Sequence, residues 1–174
     1  MMAAAMAPDR VRRLILVDPV NAWSAHGKRL TVFLSNALIA PLFVSLAPHL
    51  PMLHAFYHRR MFGDRQRIPA DSLEGYLKPM RTPGSWEYAL AVTRSWNRDL
   101  KELESVLPRI KSIPTLLIWG TADTAVDPAS AMQLRQRFSN CQLVTFDGVG
   151  HLPYEEVPED FNRVVTKFLS EGPR

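Results

Sequence analysis

An α/β fold on a parallel sheet, with a long helical stretch inserted after the first strand, is the fold class this sequence predicts. Three features predict it. Apolar runs without polar alternation, at Leu14–Val17, Leu116–Trp119 and, more briefly, Gln142–Phe146, fit strands covered on both faces. The last third of the chain has a strand, helix, strand, helix rhythm. Between them, the stretch 21–109 is punctuated by Pro41, Pro48, Pro51, Pro69, Pro79, Pro83 and Pro108 and shows apolar helical pieces but no core strand.

The elements follow in order. Met1 to Pro8 is rich in Ala and Met, strong helix formers, and reads as the last turns of a helix. It has no residue suited to an N-cap and no basic lead, so it does not resemble a secretory signal and suggests a chain that begins within an element. Arg10 to Asp18 passes from basic to apolar and is the first strand, closed by Asp18-Pro19. The stretch Leu30 to Tyr57 contains no Asp, Glu, Lys or Arg. A spanning helix needs about 20 apolar residues. Asn36, Pro41, Pro48 and Pro51 break this one into short pieces, so two apolar helices lining a pocket are expected rather than a membrane span. Ile113 to Gly120 is the second strand. Asp127 is a suitable N-cap and Pro128 a suitable first residue for a helix running to Phe138, with Ala131, Leu134 and Phe138 on one face. The third strand leads into the turn Asp147-Gly148-Val149-Gly150. A final helix, Pro158 to Leu169, places Phe161, Val164, Val165 and Phe168 at helical spacing.

Composition narrows the function. The chain has 174 residues, 47% hydrophobic and 22% charged, as in an ordinary globular domain. A net charge of +4, from 21 basic and 17 acidic residues, is too small and dispersed for a nucleic-acid surface. The densest basic run, His58 to Arg67, is interrupted by Asp64 and reads as a solvated face. Cys141 is the single cysteine, which excludes an internal disulfide and a cysteine-rich metal site, and reads as buried filler. His54 and His58 stand at helical i, i+4 spacing, but neither they nor His26 and His49 have a third ligand at a matching turn, so no metal is expected.

Two strand ends carry the candidate chemistry. Leu116-Leu117-Ile118-Trp119-Gly120-Thr121-Ala122-Asp123 ends a strand at Gly120 and presents Asp123 just beyond it. Ligand sites in open α/β sheets form outside the carboxyl ends of strands. Asp123 could equally cap a turn. Phe146-Asp147-Gly148-Val149-Gly150-His151 repeats the arrangement with His151, and imidazole titrates in the range that suits proton transfer. A lone His or Asp is weak evidence. Together, on strands joined by one helix, they can meet, the carboxylate fixing the imidazole tautomer. Asp18, at the end of the first strand, is a rival acid; Asp127 is better explained as a helix cap.

These segments resemble the cap-bearing branch of the α/β-hydrolase family: Trp119-Gly120-Thr121-Ala122-Asp123, then Gly148-Val149-Gly150-His151, then Glu155-Glu156-Val157-Pro158. Pro8 to Asp18 resembles the segment just after that family's nucleophile helix. The resemblance implies a catalytic acid at Asp123, a base at His151, and three regions: the end of the nucleophile helix with a core strand at 1–20, a helical cap at 21–109, and the C-terminal part of the core at 110–174. Some family members take the acid from the position of Asp18. It also implies a G-x-S-x-G elbow, which this sequence lacks; Gly84-Ser85 has neither a preceding strand nor a second Gly. The nucleophile is then expected upstream of Met1, and the chain alone is expected to be close to inert. A Ser nucleophile would imply ester, amide or carbon–carbon bond hydrolysis, and an Asp nucleophile epoxide or haloalkane hydrolysis. An epoxide hydrolase would want a cap tyrosine, for which Tyr57, Tyr76 and Tyr88 are available. The expected partner is a small apolar substrate, with self-association through an unpaired sheet edge also open; no cofactor or nucleic acid is implied, and a cytoplasmic protein is expected. The alternative is a non-catalytic binding protein derived from the same fold.

Overall fold

The structure, a computed structural model, describes residues 1–24, 32–34 and 36–171. Its sheet has three parallel strands in the order β1-β2-β3, where β1 is Leu14–Val17, β2 is Thr115–Gly120 and β3 is Cys141–Phe146. Register aligns Leu14 with Thr115 and Thr115 with Cys141, so all three strands end at the same side of the sheet. β2 lies in the centre and every one of its residues is buried. That is why its sequence is a continuous apolar run: both of its faces are covered.

Alternate residues of β2 feed two cores. Leu117 and Trp119 pack with Ala4 and Ala5 of α1 (Met2–Met6) and with Leu107, Ile110 and Leu134. Leu116 and Ile118 pack on the other side with Phe168, Phe161, Val164 and Val165 of the last helix. The period of two along the strand thus assigns each side chain to a face.

Among the described residues, four longer helices lie between β1 and β2: α2 (Ile39–Leu46), α3 (Pro51–Arg60), α4 (Ser72–Met80) and α5 (Ser85–Val106). Pro51 opens α3, where a first-turn residue needs no N–H partner. Gly84, at φ 86°, makes the left-handed turn into α5. Leu34, Ala40 and Leu90 form a small core of their own, with Phe43 and His54 against the Trp86 ring. Among the described residues no single helix is long and apolar enough to cross a membrane, and α2 and α3 are bent 90° apart. Within the uncharged stretch, residues 30, 31 and 35 lie outside the described residues.

Past β2, the helix expected over Pro128 to Phe138 is shorter: α6 covers Ser130–Arg135. The side chain of Asp127 takes the Ala129 N–H at 2.9 Å and its carbonyl takes the Ser130 hydroxyl, so Asp127 caps the turn leading into the helix rather than the helix itself. The strand read from Arg10 is also shorter, because Pro8–Arg10 forms a 3-10 turn. Two helices close the chain, α7 (Pro153–Glu156) and α8 (Pro158–Ser170), the second matching its expected bounds to one residue.

Candidate active site

The loops after β2 and β3 lie against each other, and glycine makes this possible. A Cβ on Gly120 would fall 2.0 Å from the Gly150 carbonyl oxygen and 2.3 Å from that of Val149. Backbone groups then stitch the loops together: Thr121 N–H donates to the Phe146 carbonyl at 3.0 Å and Ala122 N–H to that of Val149 at 2.9 Å. The Thr121 hydroxyl donates to Asp147 and accepts from Gly148 N–H.

This places Asp123 and His151 in contact. His151 Nδ1 lies 2.8 Å from Asp123 Oδ2. The other oxygen, Oδ1, accepts from Ala125 N–H at 2.7 Å and Val126 N–H at 3.0 Å. Asp123 is therefore both the turn cap and the imidazole partner, the two roles that the sequence left open. Its side chain is fully buried, whereas that of His151 is 26% exposed. A buried carboxylate with both oxygens bonded holds the imidazole with Nδ1 protonated and leaves Nε2 to exchange a proton.

Asp18, the rival acid, lies beside this pair. It sits at φ 41°, a left-handed conformation uncommon for a residue other than glycine, though Asp tolerates it. Its N–H continues the β1–β2 ladder to Ile118, and its Oδ1 accepts from Gly120 N–H at 3.0 Å. Oδ2 is buried without a hydrogen-bond partner. Burial, reinforced by the nearby Asp123 charge, pushes its carboxyl up to about 8, which favours its protonated form near neutral pH. Asp18 does not bond His151; it supports the end of β2 from which Asp123 departs. Ligand atoms of Asp18, Asp123 and His151 lie within 4.8 Å of one another.

The sequence profile of the alpha/beta hydrolase family matches residues 1–164. The chain belongs to the alpha/beta hydrolase family. It is 26% identical over 179 residues to an sn-1-specific diacylglycerol lipase of Mus musculus, covering 98% of this chain and 55% of that protein. It is 25% identical over 155 residues to Epoxide hydrolase 1 of Caenorhabditis elegans, covering 87% of this chain and 37% of that protein. The crystal structure of Cfl2 from Burkholderia cenocepacia superposes with a TM-score of 0.72 at 19% identity, over 95% of this chain and 59% of the other. The chain thus spans about half the length of the proteins it matches.

The other candidate residues of this alpha/beta hydrolase bond to other partners or are exposed. Gly84-Ser85 starts α5, and the Ser85 hydroxyl is bonded to the Pro79 carbonyl. Tyr57 and Tyr88 are exposed, and Tyr76 donates to Glu155 at 2.6 Å. His58 pairs with Ser72 at 2.9 Å, and His54 stacks on Trp86. His26 lies outside the described residues. Cys141 is half-buried at the start of β3, and burial pushes its thiol up to about 11.

Sequence reading missed the part played by Glu155 and Glu156. Glu155 accepts from Ser72 and Tyr76 of α4. Glu156 is buried and accepts three backbone N–H groups. In the sequence both were quoted within the segment Glu155-Glu156-Val157-Pro158 that carries the family resemblance, without a role of their own.

Proposed function

We propose that this alpha/beta hydrolase cleaves an ester or related bond in a small, largely apolar substrate, through a nucleophile–His–Asp triad with Asp123 as acid and His151 as base. The observation that supports it is the 2.8 Å bond from His151 Nδ1 to an Asp123 carboxylate already fixed by two backbone N–H groups. Asp123 holds the tautomer and stabilises the imidazolium; Nε2 removes a proton from the attacking group and later delivers it to the leaving group. The attacking group lies upstream of Met1 in this reading. If it is a Ser, Nε2 deprotonates the hydroxyl; if it is an Asp, Nε2 activates the water that releases a covalent ester. The helices between β1 and β2 act as a cap, and their Leu, Phe and Met side chains favour an apolar substrate. Relatives named as a diacylglycerol lipase and an epoxide hydrolase are consistent with either nucleophile.

The deciding experiment is to read the DNA directly upstream of the Met1 codon and express the extended product. An in-frame G-x-S-x-G or G-x-D-x-G names the nucleophile. The extended protein is then assayed on short-chain p-nitrophenyl esters and on styrene oxide. Hydrolysis that falls by roughly 10³-fold or more in His151→Ala supports the triad. An in-frame stop without an elbow sinks this reading. The open outer edges of β1 and β3 among the described residues then favour a binding protein.

A further inference from the structure

Within the helical segment between β1 and β2, the stretch Arg60 to Asp64 lies against the loops of the Asp–His site. There its backbone lies directly on the loop that carries His151. A Cβ on Gly63 would fall 2.0 Å from the Gly148 carbonyl oxygen, and one on Gly150 would fall 2.2 Å from that of Met61. Only a pair of glycines lets two backbones cross so closely. The Met61 carbonyl accepts the His151 N–H at 2.6 Å. The Arg60 carbonyl accepts the Thr124 hydroxyl at 2.7 Å, on the loop of Asp123.

At this crossing lies the Glu156 side chain, fully shielded from solvent. Its Oε2 accepts Gly63 N–H at 3.0 Å and Gly150 N–H at 2.9 Å, and its Oε1 accepts Asp64 N–H at 2.8 Å. One carboxylate thus joins two chain segments more than eighty positions apart through three backbone N–H groups. Gly150 is the residue immediately before His151, so its peptide plane sets where the imidazole starts.

The geometry points to Glu156 as a positioning residue: it locks the Met61–Asp64 hinge of the helical segment to Gly150 and so fixes His151 against Asp123. It touches no reacting group. The inference deepens the hydrolase reading in naming what orients its base, but its test does not depend on turnover.

The test uses the 174-residue chain itself. In the wild type, amide hydrogen exchange at Gly63, Asp64, Gly150 and His151 is expected to proceed at one common, slow rate, as a single cooperative unit. Exchange of Gly63 or Gly150 at unprotected rates overturns the proposal, and this measurement needs no variant to fold. In Glu156→Gln, those amides are expected to exchange at least tenfold faster. Long-range ¹H–¹⁵N spectra are expected to show His151 leaving its single Nδ1–H tautomer for a mixture. Leu134→Ala, in the core beyond β2, serves as the control: it is destabilised with the His151 tautomer unchanged. A Glu156→Gln chain that is folded and keeps the wild-type His151 tautomer refutes a positioning role. An extended gene product without hydrolytic activity would defeat the hydrolase reading while leaving these readouts standing.

Discussion

Asp18→Asn is the sharpest probe of the acid pair. Asn keeps an oxygen to accept the Gly120 N–H, matches the shape of the carboxyl and tolerates the left-handed backbone at this position. What it removes is a titrating proton. The Asp18 carboxyl is raised from an ordinary 3.8 to about 8 by burial and by Asp123. Between those values the folded chain binds one proton more at Asp18 than the unfolded chain, so the contribution of this group to stability is full below pH 3.8 and is lost as pH rises toward 8. The slope is about 1.4 kcal/mol per pH unit for one proton, or roughly 2.7 kcal/mol between pH 5 and pH 7. That slope holds while pH stays below the folded-state value and flattens as pH approaches about 8. Urea denaturation of both chains at pH 5, 6 and 7 measures it, because titrations common to both largely cancel in the difference. The variant is expected to gain on the wild type by that amount over the two units. Parallel pH profiles would refute a neutral Asp18.

Three further outcomes are expected. Asp123→Asn places an amide opposite His151 Nδ1, so the imidazole should switch to the Nε2–H tautomer, read by ¹⁵N shifts; an unchanged tautomer would mean that Asp123 does not set it. Leu117→Ala opens a void in a strand that is fully buried and should cost about 2–5 kcal/mol in urea melts. Cys141, with its thiol raised to about 11, should react with iodoacetamide at pH 8 at least ~10-fold more slowly than a free cysteine, which titrates near 8.5.

The strands and the two site residues were legible in sequence because their signals are local. A run such as Leu116-Leu117-Ile118-Trp119 reports burial on both faces, and Gly120 and Gly150 mark the turns that present Asp123 and His151. The end of α6 was misjudged because Phe138 keeps the helical apolar spacing while already buried from the turn after the helix. Asp18 was visible as a rival for the acid, but not as its protonated neighbour, since that depends on burial supplied by distant chain. The role of Glu156 was hidden for the same reason. Its partners lie at Gly63 and Asp64, and no periodicity connects a carboxylate to backbone groups in another part of the sequence.

The crossing of Gly63 over Gly148 bears on how this protein can be re-engineered. Exchanging the helices between β1 and β2 for those of a relative is an obvious route to new specificity, with joints cut at the strand ends. Here such a graft would carry away Arg60 to Asp64, and with it the carbonyl that receives the His151 N–H. The natural joint for a chimera therefore lies inside the segment, N-terminal to Arg60 and C-terminal to Asp64, so that these five residues stay with the host.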